Sequence, residues 1–299
     1  MDCEHWTRAY YSIKINDMIL VADSGSTKTN WGIIENNRLI QSLNTKGMNP
    51  YFQPESEIQN ELSNILLPQL GNKPVKAVYF YGAGCTIEKI DLVRKKIECC
   101  LSAELVEVNS DLLGAARCLC GHEAGIVGIL GTGSNSGFYD GKTIVKNVPA
   151  LGFVLGNEGA GDSLGRRFVS NLLKDMINDE IKKSFLSKYN LTIGEIIERV
   201  YKQPFPNRFL ASLAPFIEEY LDVPEVQQIV VDNFCDFFNR NVKHYDYQHY
   251  CTNLIGSIAF HFKSSLTIAA RQCGILLGNI VQNPMEGLVD YHISQAINE

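Results

Sequence analysis

The sequence of 299 residues has no long apolar run. A membrane-spanning helix needs roughly twenty consecutive apolar residues, so we expect no membrane partner. The N-terminal segment also lacks the apolar core of a secretion signal, which favours a cytoplasmic location. Residues Met1 to Asp17 are mixed polar and aromatic instead. We interpret residues 1–17 as a flexible N-terminal extension, with an added edge strand from Tyr10 to Ile15 as the alternative.

Clusters of basic residues are also missing. The chain has 27 Lys and Arg against 33 Asp and Glu, which gives a net charge of −6. Because binding to a nucleic-acid backbone relies on clustered cations, we expect no nucleic-acid partner. A metal-bound nucleotide is compatible with this charge.

Paired cysteine spacing is absent as well. The nine cysteines are odd in number and scattered, which indicates a reducing compartment rather than a disulfide framework. The segment Cys118-x-Cys120-Gly121-His122 resembles part of a zinc site. A structural zinc ion normally needs four ligands, and the nearby sequence offers no convincing fourth. We therefore favour buried thiols there over a metal site.

Apolar residues make up 45% of the chain and charged residues 20%, as in globular proteins. Its length suits two domains. We predict a first lobe of residues 18–120 joined by a C-terminal helix over about 282–299, and a second lobe of residues 121–281. The segment around Gly121 can end a helix at this boundary.

The segment Asp23-Ser24-Gly25-Ser26-Thr27-Lys28-Thr29 lies between two predicted strands, Ile19 to Ala22 and Asn30 to Ile34. A tight turn at Gly25 would direct backbone N–H groups and hydroxyls into one concavity, which suits a phosphate. The alternative is an ordinary polar hairpin turn. Its own residues do not decide between the two.

The same order of elements occurs twice. A third strand near Arg38 to Leu43 completes a β-meander, and the pattern begins again at Gly125 with a second polar turn, Gly131-Thr132-Gly133-Ser134-Asn135. Two similar turns about a hundred residues apart predict two related lobes that face one ligand. The predicted helices are Pro54 to Leu70, Thr86 to Leu101, Leu112 to Leu119, Asp162 to Ile177, Ile193 to Tyr201, Arg208 to Leu221, Val223 to Val242 and Ile258 to Ala270.

Phosphoryl transfer requires phosphate cradles, a carboxylate near Mg²⁺ and a base for the attacking hydroxyl. The P-loop signature and the protein-kinase motifs are both absent. The two turns could serve as cradles and Asp23 as the carboxylate. Asp111 stands at a predicted strand end and helix start, where an N-cap residue is the competing interpretation.

The ordered set of motifs resembles the sugar kinase, Hsp70 and actin superfamily. It is most similar to the N-acetylglucosamine kinase branch, which is related to the BadF/BcrA-type ATPases. The resemblance rests on the opening turn, on the second turn and on two further motifs, Gly156-Asn157-Glu158-Gly159 and Gly256-Ser257-Ile258-Ala259. It implies an α/β protein with two actin-like, ribonuclease H-like lobes. Each lobe would combine a β-meander with a βαβ sheet, and the active-site cleft would lie between them.

The resemblance also implies ATP and Mg²⁺ as cofactors and a role for each matched residue. Asp23 would lie near Mg²⁺ through water, and Asp111 would be the catalytic base that accepts the proton of a sugar 6-hydroxyl. The residues implied around the nucleotide are Gly25, Ser26, Thr27, Lys28, Gly131, Thr132, Gly133, Ser134, Gly256 and Ser257. Those implied around the sugar are Asn49, Thr132, Gly133, Asn135, Gly152 and Asn157.

Two positions depart from the family pattern. Leu151 replaces the Trp of a Trp-Gly pair, and Asn157 replaces the Asp of a Gly-Asp-Glu-Gly run. N-acetylglucosamine is the first candidate substrate, with glucosamine, N-acetylmuramic acid or another amino sugar as alternatives. Two functions are alternatives to a sugar kinase. The first is an ATPase that activates a partner enzyme, and the second is a non-catalytic nucleotide or sugar sensor. The expected partner is a small-molecule sugar, and a homodimer is an open alternative to a monomer.

Overall fold

The computed structural model describes residues 18–25, 27–71 and 73–298, with side chains described through residue 295. The predicted extension, Met1 to Asp17, and Ser26 of the first turn lie outside the described residues. None of the described helices is long and apolar enough to cross a membrane.

The first sheet has five strands in the order β3-β2-β1-β4-β5. β1 pairs with β2, and β2 with β3, in antiparallel fashion, whereas β1, β4 and β5 run parallel. This arrangement confirms the predicted combination of a β-meander with a βαβ sheet. The strand bounds are β1 Met18–Ser24, β2 Lys28–Glu35, β3 Arg38–Lys46, β4 Val75–Gly82 and β5 Ala103–Ser110.

The second sheet repeats this topology, with the order β10-β9-β6-β7-β8. Here β6, β7 and β8 form the antiparallel meander, and β6, β9 and β10 are parallel. The chain is therefore an α/β protein with two related mixed sheets, as the repeated pattern predicted. The strand bounds are β6 Gly125–Leu130, β7 Ser134–Tyr139, β8 Ile144–Val148, β9 Thr252–Ile255 and β10 Leu277–Val281.

Helices between the strands of the first sheet follow the predicted order. The helix predicted from Thr86 begins only at Ile90, because Gly84 has a φ of +77° and the chain turns through residues 85–89. The bounds are α1 Glu55–Asn60, a π-helical segment Glu61–Leu66, α2 Leu67–Leu70, α3 Ile90–Cys100 and α4 Asp111–Cys120.

Most helices lie between β8 and β10. Two of the long helices predicted here are divided: Pro215, which has no N–H, lies at the start of α10, and Phe262 separates α12 from α13. Helix α7 was not predicted. The bounds are α5 Gly152–Leu155, α6 Gly161–Leu173, α7 Asp179–Tyr189, α8 Ile193–Tyr201, α9 Pro206–Ala211, α10 Ala214–Glu219, α11 Pro224–Arg240, a 3₁₀ turn Val242–His244, α12 Ser257–His261, α13 Lys263–Cys273 and α14 Met285–Asn298.

Helix α4 contacts both sheets. One face of α4, which includes Leu112 and Ala116, packs against Val127 of β6. Gly114 lies so close to Tyr81 of β4 that an added Cβ would come within 2.8 Å of that side chain. Helix α14 packs on β1 through Leu288. Because α4 belongs to both cores, the division between residues 120 and 121 stays a prediction.

Candidate functional site

A cavity of about 730 Å³ opens between the two sheets. It is lined by residues from both halves of the chain. The predicted site residues among them are Asp23, Gly25, Thr27, Lys28, Asn49, Asp111, Gly131, Thr132, Gly133, Ser134, Asn135 and Asn157. Further lining residues that the sequence did not suggest are Asn30, Ala83, Gly84, Ile129, Ala150, Asn207, Arg208 and Asn283.

The first turn connects β1 to β2 and is closed by a hydrogen bond from the Gly25 N–H to the Lys28 carbonyl at 2.9 Å. Behind it, the Ser24 and Thr29 hydroxyls lie 2.7 Å apart, and the Met48 N–H donates to Ser24 Oγ at 3.0 Å. The hydroxyls and the neighbouring loop therefore brace the turn from its buried side, while Gly25, Thr27 and Lys28 are exposed.

The second turn is held by the beginning of helix α6. The Gly131 carbonyl accepts from the Gly161 N–H at 2.8 Å, and the Thr132 carbonyl accepts from the Asp162 N–H at 3.1 Å. The Gly131 N–H also donates to the Gly133 carbonyl at 3.0 Å. The first backbone donors of a helix have no partner within the helix, so here they fix the turn.

A buried carboxylate is connected to this turn through Asn157. Asp162 is fully buried, and Asn157 Nδ2 donates to its Oδ2 at 2.6 Å. Asn157 Oδ1 in turn accepts from the Ser134 N–H at 3.4 Å. Burial raises the pKa of Asp162 to about 6, against the opposing effect of the Asn157 hydrogen bond. An amide at position 157 can donate to this carboxylate, which an ionised Asp could not do.

Asp111 is the first residue of α4, but the N-cap is Ser110. The Ser110 hydroxyl accepts from the Leu113 N–H at 3.2 Å. Asp111 Oδ1 accepts from the Leu112 N–H at 2.8 Å, and its carboxylate lines the cavity. The competing interpretation of Asp111 as the N-cap therefore does not describe this helix.

The Asp23 and Asp111 carboxylates both line the cavity, and both have raised pKa values. Burial raises the pKa of Asp23 to about 7, and the nearby Asp111 carboxylate adds to the effect. Burial also raises the pKa of Asp111 above its ordinary value. Two half-buried carboxylates with raised pKa values provide a place where a bound cation would be favourable.

A second cavity of about 620 Å³ adjoins the first. Its lining includes Ser257, Ile258 and Phe262, and it shares Thr27, Gly131, Thr132 and Arg208 with the first cavity. The predicted nucleotide residue Ser257 therefore lies in this compartment.

Gly256 lies where the second turn meets β9. It has a φ of +120°, and an added Cβ would be 2.3 Å from the Leu130 carbonyl oxygen. Gly256 contributes to a smaller cavity of about 200 Å³ rather than to the second cavity. Only glycine fits this close approach without displacing the backbone.

The segment around Leu151, the first of the two departures from the family pattern, lies at the edge of the site. Leu151 is 62% exposed with a φ of +50°, and Gly152 follows with a φ of +72°. Ala150 lines the large cavity, whereas Gly152 is not among its lining residues. The Leu151 side chain thus provides no buried apolar wall here.

The Cys118 and Cys120 side chains are only partly buried, so the expected buried thiols are not fully enclosed. Asn253 Nδ2 lies 3.5 Å from Cys120 Sγ, and burial raises the pKa of Cys118 to about 12 and that of Cys120 to about 11. Within residues 18–25, 27–71 and 73–298, no three His, Cys, Asp or Glu side chains form a group that could hold a metal ion.

Comparisons with solved structures agree with this architecture. The "putative N-acetylglucosamine kinase" from Porphyromonas gingivalis is 45% identical with a TM-score of 0.90, over 93% of this chain and 100% of that protein. A second "putative N-acetylglucosamine kinase", from Chromobacterium violaceum, has 15% identity and a TM-score of 0.74, over 92% of this chain and 98% of that one.

The fold also matches a ROK family glucokinase from Streptomyces griseus in complex with glucose and AMPPNP. That match has 16% identity and a TM-score of 0.57, over 92% of this chain and 97% of that one. No family model and no curated protein matches the sequence. With a repeated two-sheet fold and a relative that is 45% identical over nearly the whole chain, the protein belongs to the N-acetylglucosamine kinase branch of the sugar kinases.

Proposed function

We propose that this chain is an ATP-dependent kinase that transfers the γ-phosphate of ATP to the 6-hydroxyl of an amino sugar, with N-acetylglucosamine as the first candidate. The observation that carries the proposal is the single cavity that Asp23 and Asp111 line together with residues of both glycine-containing turns. The family supports sugar phosphorylation as the reaction class.

The nucleotide would extend across the two adjoining cavities. Its phosphates would lie between the turns at residues 25–28 and 131–134, where Thr27, Thr132 and Ser134 line the cavity and their hydroxyls can donate to phosphate oxygens. Its adenosine would occupy the second cavity, beside Ser257 and Phe262. This assignment accounts for both cavities with one ligand.

The donor set in the large cavity fits Mg²⁺. This ion is typically held by one or two carboxylates together with water and substrate phosphates, and Asp23 is such a carboxylate. Because its pKa is raised to about 7, Asp23 would gain from a neighbouring cation that favours its ionised form. When bound, Mg²⁺ would offset part of the negative charge on the phosphates.

Asp111 would act as the base. A raised pKa makes its carboxylate a better proton acceptor at neutral pH, provided that it is ionised. It would take the proton of the sugar hydroxyl as the oxygen attacks the γ-phosphorus. Ser110 supports this role, because its hydroxyl caps α4 and so spares the Asp111 carboxylate that task.

Three asparagines would orient the sugar: Asn49, Asn135 and Asn157, which all line the cavity. Asn135 Oδ1 already accepts from the Ser136 N–H at 2.9 Å and from Asn147 Nδ2 at 3.0 Å. Its Nδ2 is therefore the group that would donate to a sugar oxygen. Both a sugar hydroxyl and an acetamido carbonyl can accept from such a donor.

A coupled assay of ADP release with a panel of sugars tests this function. We expect turnover with N-acetylglucosamine, and phosphorus NMR of the product should show a 6-phosphate. Glucosamine and N-acetylmuramic acid in the same panel separate the alternatives. If no amino sugar stimulates ADP release above the rate with ATP alone, the proposed function is wrong.

The alternative function, an ATPase that activates a partner enzyme, makes a different prediction. It predicts an iron-sulfur cluster that bridges a dimer, with cysteine ligands from both copies of the chain. Iron analysis of anaerobically purified protein separates it from the kinase.

A further inference from the structure

We propose that Arg208 is a further catalytic residue that donates hydrogen bonds to the nucleotide phosphates at the passage between the two cavities. This inference rests on the proposed function. It adds a cation from the helical part of the second half of the chain to the residues implied by the family resemblance, none of which lies near position 208.

The location of Arg208 is the main observation. The large cavity holds Asp23, Asp111 and the sugar-side asparagines, and the second cavity holds the apolar lining around Phe262. Only Thr27, Gly131, Thr132 and Arg208 line both cavities among the described residues. A nucleotide with its adenosine in one cavity and its γ-phosphate in the other must pass this junction. Its phosphate chain would therefore lie beside the Arg208 guanidinium.

The charge of Arg208 suits this passage. Of the described residues that line the two cavities, Lys28 and Arg208 are the ones with permanently cationic side chains. Lys28 lies in the first turn, whereas Arg208 approaches from the other half of the chain. An arginine can hold phosphate oxygens with two parallel N–H donors, and such charge-assisted hydrogen bonds are stronger than neutral ones.

The local structure positions the guanidinium. Its central carbon lies 4.2 Å from the centre of the Phe205 ring, in a stacked cation–π contact. Phe205 itself has a φ of +58° and precedes Pro206 at the start of α9. The two residues are also joined through the backbone, because the Arg208 N–H donates to the Phe205 carbonyl at 3.0 Å. The ring thus restricts the conformation of the Arg208 side chain.

The role of Arg208 in the reaction follows from the negative charge that develops on the leaving ADP. As the sugar oxygen forms its bond to the γ-phosphorus, the bond from that phosphorus to the bridging oxygen breaks. ADP leaves with the electron pair, and the hydroxyl proton goes to Asp111. Negative charge therefore grows on the β-phosphate, and a guanidinium beside it would stabilise the transition state more than the ground state.

Isothermal titration of ADP and of adenosine into the full-length protein tests the inference without any sugar. We expect Arg208→Gln to weaken ADP binding by about 10- to 100-fold, the range for loss of a charge-assisted contact, and to leave adenosine binding unchanged. Arg208→Lys retains the charge and should recover part of the ADP affinity. Phe205→Leu keeps Arg208 but removes its stacking partner, and it should weaken ADP binding by a smaller factor.

Arg199→Gln is the matched control. Arg199 is also an arginine stacked on a phenylalanine, with its guanidinium carbon 5.2 Å from the centre of the Phe209 ring, but it lines neither cavity. We expect this variant to bind ADP like the unmodified protein.

Each outcome bears on a definite claim. Equal ADP binding by Arg208→Gln and the unmodified protein would overturn the inference, and so would a parallel loss of adenosine affinity, which would indicate a structural role. If the unmodified protein binds ADP but no sugar is phosphorylated, the proposed function fails while the assignment of Arg208 to the phosphates holds. Failure of the unmodified protein to bind ADP would overturn both.

Discussion

The two turns proposed to bind phosphate occupy equivalent positions in equivalent sheets, yet they are held in different ways. Neutral hydroxyls, those of Ser24 and Thr29, brace the first turn. The second turn depends on the start of α6 and on a buried carboxylate, Asp162, which binds Asn157. Equivalent topology thus does not imply equivalent energetics, because a buried charge is far more sensitive to substitution than a neutral hydrogen bond.

We expect the largest effect, a loss of activity, at Asp111, which lines the cavity between the two turns. We expect Asp111→Asn to lower kcat by about 10²- to 10⁴-fold, the usual contribution of a general base. Neither turn is altered, so ADP affinity measured by titration should stay within about twofold. Substantial residual kcat in this variant would mean that another group accepts the proton.

The variant Asn157→Asp removes the hydrogen bond between Asn157 and the buried Asp162 carboxylate beside the second turn. This change places a second carboxylate against Asp162, where a donor now lies at 2.6 Å. We expect the free energy of unfolding to fall by about 3 kcal/mol at pH 8, as for other uncompensated buried charges. Urea titrations at several pH values measure the loss.

The pH dependence of this loss has a definite sign. In the folded protein the pKa of Asp162 is already raised to about 6, and a second carboxylate would raise the pKa of the pair further. The folded variant then binds more protons than the unfolded chain, so its stability falls as the pH rises above about 4. The double variant Asn157→Asp with Asp162→Asn exchanges the two groups and should restore most of the stability. Equal stability of Asn157→Asp and the unmodified protein at pH 8 would contradict the assigned contact.

The close approach of the Gly256 backbone to the second turn provides the next test. Gly256→Ala should cost about 2–3 kcal/mol, because its φ is +120° and its Cβ would lie 2.3 Å from the Leu130 carbonyl oxygen. Gly25 of the first turn is the matched control. An added Cβ there meets only the Lys28 carbonyl oxygen at 3.6 Å, an ordinary contact. Thermal unfolding of both variants should show the difference, and similar losses in the two would refute it.

The smallest effect is expected at the hydroxyl support of the first turn. Ser24→Ala removes the acceptor of the buried Met48 N–H, for a loss of about 1–2 kcal/mol. The bonds that are lost join uncharged groups, and Asp23 is present in both proteins, so the difference in stability should be nearly constant between pH 5 and pH 8. Urea titrations at these two pH values check it, and a strong pH dependence would indicate that the first turn is also coupled to a titrating group.

The sequence allowed the repeated sheets to be predicted because period-2 patterns and glycine turns are local signals. Helix α7 escaped prediction because it buries few apolar side chains, among them Ile181 and Phe185, and thus has a weak amphipathic pattern. The division at Pro215 was visible in the sequence, but the apolar residues on either side of it suggested one continuous helix.

The site residues likewise fall into two groups, those that local motifs identified and those that they did not. Residues in glycine-rich turns were identifiable from their motifs, and most of them line the large cavity. Asp162 resembles an ordinary acidic residue in a first helical turn, and only the amide at position 157 hints at its partner. Arg208 and Asn283 reach the cavities through packing between distant segments, for which a single sequence carries no local signal.

The contact of helix α4 with both sheets has a consequence for motion. A helix that packs against Val127 on one side and Tyr81 on the other would lie close to the axis if the two sheets rotated about this shared contact. Points near a rotation axis move least, so Gly25 and Gly131 would travel further than Asp111 as the cleft widens or narrows. Loading and release of ligands would then require the phosphate contacts to separate while the proton acceptor keeps nearly the same position.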